Sequence, residues 1–406
     1  MSAPIIAGHP LAFDAAGHLL PWTGWGRALH LEMDYYRTCP QDHGYPRFAS
    51  ETFLDADWTP SNARDDVIPA TQNGLGILSY LKYAAWADLS WPLRTAELLG
   101  AYLVNETLTP SSGAYPSFTR STGRRGRFPQ TEDAGSQSDR PYEIEPDKGG
   151  IAGFALARLG AKLGDDRFLK QALANARTLV RNQRSGDATH SPWPFRADHR
   201  SGEPRGPIAG NMSFIMRLYD ELIAWGYGEF EAPRAALWHW IVTFQIPSAQ
   251  SGGALFAQFF EDHDTPTNRS AWAPLNLARY LIERAARGED CLGHAGRLIE
   301  FSRENFTHQE HGVRVCHEQD EDQQAWGGIN STYGAVLALY ARARSDATLA
   351  AEAKDALNYT LHLIDAAGRP RDVAANPHPG GWQEDAHTDV IHNIVDALVA
   401  YPEWAA

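Results

Sequence analysis

A two-part pattern recurs six times along this chain. A polar loop leads into a run rich in glycine, alanine and apolar residues, a short turn follows, and a more charged run comes next. The small-residue runs begin near Pro69 (T-Q-N-G-L-G-I-L-S-Y), Asp147 (D-K-G-G-I-A-G-F-A-L-A), Pro207 (P-I-A-G-N-M-S-F-I-M), Asn268, Gln324 and Asp385. Their charged partners begin near Gly26, Trp91, Asp166, Glu231, Asp290 and Asp346. Both kinds have the helical repeat. In the last small-residue run, Val390, Ile391, Ile394, Val395, Leu398 and Val399 form one apolar stripe. Strand patterns are sparse: G-V-R-V-C and A-L-F-A-Q-F-F suggest short hairpins. Glycine and alanine let inner helices pack closely, and charged faces let outer helices meet water. The expected fold is therefore all-α, a single (α/α)6 barrel of about twelve helices spanning residues 1–406, closed if the first helix lies against the last.

The connections differ in length. Turns inside a pair are short, such as L-G-D-D and A-R-S-D, whereas the loops entering the small-residue helices are long, above all 109–146, 182–207 and 247–267. Long loops in a compact domain usually carry function. In this topology they gather at one end, over the N-termini of the inner helices, which is the expected cleft.

Composition narrows the partners. Hydrophobic residues make up 43% and charged residues 21%, the balance of a globular chain. A net charge of −14 argues against nucleic acid and against an anionic membrane. The 13 Trp, 15 Tyr and 16 Phe suit sugar rings, whose C–H faces stack on aromatic planes. Three cysteines, Cys39, Cys291 and Cys316, have no paired spacing, so neither a disulfide framework nor structural zinc is expected. The first residues lack a basic segment followed by a long apolar run, and no membrane span is visible. The expected location is the cytoplasm, or outside the cell if a signal peptide has been removed.

The densest chemistry lies in H-E-Q-D-E-D-Q-Q-A-W-G-G-I-N-S-T-Y, residues 317–333. Glu318, Asp320, Glu321 and Asp322 crowd a segment just before a helix, whose positive end favours ionised acids. Trp326, Asn330 and Tyr333 follow, and the stretch reads either as the wall of a sugar-binding cleft or as a solvated acidic loop with a core tyrosine. The cluster lacks an EF-hand loop, and neither metal nor cofactor is assigned. Other helix mouths add Asp65, Asp66, Gln72 and Asn73; Tyr142, Glu143, Glu145, Asp147 and Lys148; Asn211 and Ser213; and His263, Asn268, Arg269 and Trp272. The last mouth carries Trp382, Glu384, Asp385, His387 and Asp389. Several of these have a plain structural alternative: Asp65, Asp66 and Asp147 also serve as caps or first-turn acids. Arg120 to Arg127 form the one basic patch. The catalytic candidates are Asp320, Asp322, Asp385, Glu384, Asp66, Tyr333 and His387. The substrate-binding candidates are Trp326, Asn330, Asn211, His263, Arg269, Trp272, Gln72, Asn73 and Trp382.

This organisation, from Gly26 to Trp404, resembles the six-hairpin superfamily of carbohydrate-active enzymes, which includes glycoside hydrolases, polysaccharide lyases and sugar epimerases. The resemblance is architectural. Of the arrangement W-x-R-G-Q-A-W, associated with unsaturated uronyl hydrolases, only Q-A-W at Gln324–Trp326 is shared, and the N-N-H run of one alginate-lyase family is absent. It implies a poly- or oligosaccharide substrate and leaves the reaction open.

Hydrolysis needs one protonated carboxyl and one carboxylate, about 5 Å apart for retention or about 6.5–9.5 Å for inversion. A pair drawn from Asp320 or Asp322 and from Glu384, Asp385 or Asp66 is the first expectation. A lyase acting on a uronic-acid chain is the alternative, with Asn211, His263, Arg269, Asn330, Tyr333 and His387 supplying its groups and the basic loop recruiting the chain. A cofactor-free epimerase or isomerase using two histidines is a further alternative, and a non-catalytic binding scaffold the last. Oligomeric state is not legible.

Overall fold

The computed structural model describes residues 4–50, 53–55, 57–59, 66–131, 139–258, 267–374, 381–383 and 387–405. Twelve principal helices occur among them: α1 (Trp25–Arg37), α2 (Pro69–Ala87), α3 (Trp91–Glu106), α4 (Pro146–Leu163), α5 (Asp166–Asn182), α6 (Met212–Ala224), α7 (Glu231–Trp240), α8 (Trp272–Ala285), α9 (Leu292–Asn305), α10 (Gly327–Arg344), α11 (Ala347–Leu361) and α12 (His387–Ala400). The expected small and charged runs map onto them in order. The strands are short: β1 (Asp66–Val67) pairs with β2 (Gly123–Arg124), β3 (Glu143–Ile144) with β4 (Arg196–Asp198), β4 with β5 (Pro204–Arg205), and β6 (Thr307–Glu310) with β7 (Val313–Cys316). The expected G-V-R-V-C strand is β7. By contrast, Ala254–Phe256 is a turn of 3-10 helix, and the end of that expected hairpin lies outside the described residues.

The chain divides into two compact units, one of Met1–Gln41, Phe53–Ala63 and Pro274–Ala406, the other of Asp42–Thr52 and Arg64–Ala273. In the second unit, α2 pairs with α3, α4 with α5 and α6 with α7, while α4 also packs against α2 and α6. A methyl group on Gly150 would lie 2.9 Å from the Ile215 amide nitrogen, and one on Gly153 would lie 2.8 Å from Leu218. Both contacts advance together, so α4 and α6 run parallel with their starts level. Gly74 meets Ala152 in the same way, which sets the start of α2 beside that of α4. The three N-terminal ends of this unit share one side. The short turns end in left-handed residues, Asp88 after α2 and Gly164 after α4. The Asp165 carboxylate caps α5 through the Arg167 amide (2.9 Å).

In the first unit, α10 pairs with α11 and packs against α12, and α1 packs against α12, the contact expected of a closing first helix. Asn393 of α12 donates to the Ser331 (2.8 Å) and Thr332 (2.9 Å) hydroxyls of α10 and accepts from Arg279 of α8. Asn330 is buried. It accepts from the Cys316 amide (3.0 Å) and donates to the Ala356 carbonyl (2.9 Å) and the Thr360 hydroxyl (3.1 Å). It thereby ties β7, α10 and α11 together. Replacing Asn330 with alanine strands the buried Cys316 N–H, and a loss of about 2–3 kcal/mol of stability is expected by chemical denaturation.

Candidate active site

The second unit holds a buried charged cluster at the mouth of α4. Its residues come from three places: the loop after α3, the entry strand β3, and β4 beside it. Glu145 follows β3 with extended backbone, and Pro146 occupies the first helical position, where a missing N–H costs nothing. The Glu145 amide donates to the Ser121 hydroxyl (2.9 Å). One Glu145 oxygen lies 3.3 Å from the Arg196 guanidinium, and the other lies 3.6 Å from the Lys148 ammonium, one turn along α4. Lys148 also stands 3.5 Å from Asp147. Arg196 is anchored from behind by Asp139 (2.6 Å), which accepts from Ser121 and from Thr122 (2.8 Å). All five ionisable members are buried.

Removing charge from water is costly, and the cluster shows it. Burial pushes the Glu145 carboxyl up to about 8 against the pull of Lys148 and Arg196. For Lys148 burial works against the ammonium, yet Asp147 and Glu145 hold it above the usual lysine range. The site thus keeps a carboxyl protonated near neutral pH beside an ammonium group. A carboxyl in that state can donate a proton. Buried His199, after β4, sits 6.1 Å from the Tyr142 ring, and the Arg200 guanidinium lies 3.5 Å over the same ring.

The neighbouring mouths add neutral polar groups. On α2, Gln72 and Asn73 are buried, and both polar atoms of Asn73 have no hydrogen-bond partner. At the start of α6, Asn211 does not cap the helix, and its buried Oδ1 is unpaired, as is the Ser213 hydroxyl. Asp147 Oδ1 is unpaired as well. The Lys148 ammonium lies 6.0 Å from the Phe214 ring, which puts the start of α6 beside the cluster. Of the substrate-binding candidates, Gln72, Asn73 and Asn211 are therefore on adjacent, level mouths. Asp66 sits in β1, its backbone paired with Arg124 of the basic loop. Arg269 donates to the Gly252 carbonyl (3.1 Å), and Trp272 opens α8.

In the first unit, Asp322 accepts from the Gln324 amide (2.9 Å) and from the Trp326 indole (2.9 Å), so these two candidates are joined. Trp326 occupies the N-cap position of α10. Asp320 is half-buried and engaged by a neighbour. Two candidates prove to be packing residues rather than mouth residues. Asn330 spends its amide on the three bonds described above. Tyr333, expected among the catalytic groups, is buried against α11 with its hydroxyl donated to Glu352, which also pairs with Arg303 (2.7 Å) and Arg314 (4.0 Å). His387 begins α12 and Trp382 lies in a strand paired with Phe53–Asp55. The side chains of Asp66, Trp382 and His387, and all of Asp65, His263, Glu384 and Asp385, lie outside the described residues. Among the described residues no cluster of His, Cys, Asp and Glu has metal-binding geometry, and no helix is long and apolar enough to cross a membrane.

The sequence places Glu145 and Lys148 at this helix mouth but not among the catalytic or substrate-binding candidates, and it does not point to Arg196. Glu145 and Lys148 stand in a polar run at the start of α4, a visible signal. Arg196 lies far along the chain, and no spacing joins it to them.

No family model matches the chain, and no curated protein matches it in sequence. Among solved structures it is similar to a D-mannose isomerase, with a TM-score of 0.68 at 11% identity over 92% of this chain and 97% of that one. It is similar to the cellobiose 2-epimerase of Spirochaeta thermophila, with a TM-score of 0.68 at 12% identity over 94% and 96%. A family 76 glycoside hydrolase from a bovine Bacteroides thetaiotaomicron strain gives 0.61 at 14% identity over 94% and 78%. At such identities the likeness establishes fold: the chain has the all-α (α/α)6-barrel fold of these proteins.

An unpaired buried amide is a standing cost of about 1–3 kcal/mol. Asn73→Leu, which keeps the shape and removes the polar atoms, is expected to raise the thermal midpoint of the ligand-free protein. A lowered midpoint would show that Asn73 serves packing.

Proposed function

We propose that this chain is a carbohydrate-active enzyme that cleaves a glycosidic bond of a poly- or oligosaccharide by carboxylate acid–base hydrolysis, with residues 1–406 acting as one catalytic domain. The observation that carries the reading is the buried Glu145 carboxyl held between Arg196 and Lys148 at the mouth of α4, where burial raises its pKa. The fold shared with a glycoside hydrolase supports it. In this reading Glu145 gives its proton to the departing glycosidic oxygen. Asp147, two residues on, with one free oxygen, or Asp66 of the same unit activates water. Lys148 holds the local charge steady as the proton leaves.

A second reading is cofactor-free isomerisation or epimerisation of a sugar, with two histidines as base and acid. The TM-score of 0.68 to an isomerase and to an epimerase favours it. Incubation with neutral and uronic saccharides in heavy water, followed by NMR, separates the readings. Hydrolysis makes new reducing ends. Isomerisation places deuterium on the carbon beside the carbonyl without new ends. Elimination makes an ultraviolet-absorbing unsaturated uronide.

The pH dependence follows from Glu145. Its folded value lies above the unfolded one, so its contribution to stability is full below about 4.5 and is lost as pH rises through about 8. Its proton-donating form disappears over the same upper limb. Turnover is expected to fall as pH rises through about 8, and Glu145→Gln to lower kcat by about 100-fold or more and abolish that limb. Unchanged turnover and an unchanged pH profile in the variant would remove Glu145 from the chemistry.

A further inference from the structure

Five asparagines of the described residues are buried to 1% exposure or less: Asn73, Asn175, Asn330, Asn358 and Asn393. Four use both ends of the amide. Asn175 donates to Thr119 (3.0 Å) and Gly149 (3.1 Å) and accepts from Gln171 (3.0 Å). Asn358 donates to the Leu19 carbonyl (2.6 Å) and accepts from the Trp25 indole (2.8 Å). Asn330 and Asn393 are saturated as described above. Asn73 alone has neither end paired. It lies at the mouth of α2, level with the start of α4, where Asp147 Oδ1 is unpaired, and α4 is level with α6, where Asn211 Oδ1 and the Ser213 hydroxyl are unpaired. Ser213 is 1% exposed. In native proteins such unpaired groups are rare, and a group of them on adjacent helix mouths marks where something polar completes the pairing.

The chemistry of the missing partner can be read from the atoms left over. Apart from Glu145 Oε2, which faces Lys148 at 3.6 Å, three are pure acceptors: Asn73 Oδ1, Asn211 Oδ1 and Asp147 Oδ1. One is a pure donor, Asn73 Nδ2, and Ser213 Oγ does either. A carboxylate or sulfate offers only acceptor oxygens and would face three like groups. A hydroxyl donates one hydrogen bond and accepts others, so adjacent hydroxyls satisfy the whole set. The cations agree. Lys148 is taken by Glu145 and Asp147, and Arg196 by Asp139 and Glu145. In the basic loop Arg120, Arg124 and Arg125 are already engaged, and Arg127 is exposed.

We infer that the mouths of α2, α4 and α6 bind a neutral, hydroxyl-rich sugar unit and discriminate against its uronic-acid counterpart, with Asn73, Ser213 and Asp147 as the specificity-determining groups. The inference rests on the carbohydrate reading above and narrows it. It also sets the uronate-cleaving alternative aside on a physical ground: no described cation of the cluster is available to neutralise a substrate carboxylate.

The test is equilibrium binding to the full chain by calorimetry and saturation-transfer NMR. The probes are neutral hexoses and their short oligosaccharides, each beside the matching hexuronate. Neutral sugars are expected to bind about tenfold or more tightly than their uronates. Asn73→Ala is expected to weaken neutral-sugar binding about tenfold and Ser213→Ala about threefold. Asp147→Asn, which removes a charge and adds a donor, is expected to shift the preference toward the uronate. Ser213→Ala removes one oxygen and keeps the helix, so it tests the idea even if the Asn73 variant folds poorly, as judged by circular dichroism. Equal or tighter uronate binding overturns the inference and leaves the carbohydrate reading standing. Unaltered neutral-sugar affinity in both alanine variants also overturns it, since those atoms then hold only water. Binding of neither sugar class overturns the carbohydrate reading, and this inference with it.

Discussion

The candidate site depends on how closely α4 lies against its neighbours. A side-chain carbon on Gly150 would press on the Ile215 backbone, and one on Gly149 would fall on the Phe118 ring. Without those carbons, α4 and α6 approach backbone to backbone, and their first turns come level. Close approach has a second effect. It excludes water from the first turn of α4, which is where the chain places Glu145, Asp147 and Lys148. The same packing that builds the unit therefore creates the low-dielectric setting in which a carboxyl stays protonated.

A buried group of charges is tolerable only when each member has partners. Here the partners come from outside the helix. Arg196 arrives on β4, held against β3 by backbone pairing of Ile144 with Ala197. Asp139 backs Arg196, and Ser121 ties Asp139 to the Glu145 amide. Glu145 is thereby fixed in position before any ligand arrives, which is the condition for a preorganised acid. The strands of this unit are too short to carry a core. Their role is to register two loops against the mouth of one helix.

Much of the fold was legible because helical periodicity is a local property. The runs near Pro69, Asp166, Asp346 and Asp385 became helices within a few residues of their expected starts. The run near Pro207 did not. α6 starts at Met212, and in the segment before it the Ile208 amide donates to the Gln258 side chain (2.8 Å) and the Ala209 amide to the Ser191 hydroxyl (2.7 Å). The site was less legible because hydrogen-bond satisfaction is not local. Asn330 and Asn73 look alike in sequence, each polar in an apolar helix. One is locked by β7 and α11, and the other has no partner. Tyr333 has the spacing of a mouth residue, yet the acceptor for its hydroxyl stands on α11 and turns it away. Arg196 gives no sequence signal at all, since its importance comes from an ion pair across 51 residues of chain.

The two kinds of buried polar group divide the labour of the second unit. The charges at the mouth of α4 are paired internally, so they hold geometry and a proton but have little attraction left for an incoming ion. The amide and hydroxyl groups of α2 and α6 are unpaired, so they lower stability until a ligand supplies what they lack. A ligand gains from the second group because the first has already been ordered. The unit gives up stability at Asn73 and Ser213 and retains rigidity at Glu145. Such a division suits a site that must recognise neutral hydroxyls by hydrogen bonding while keeping one acidic proton in place.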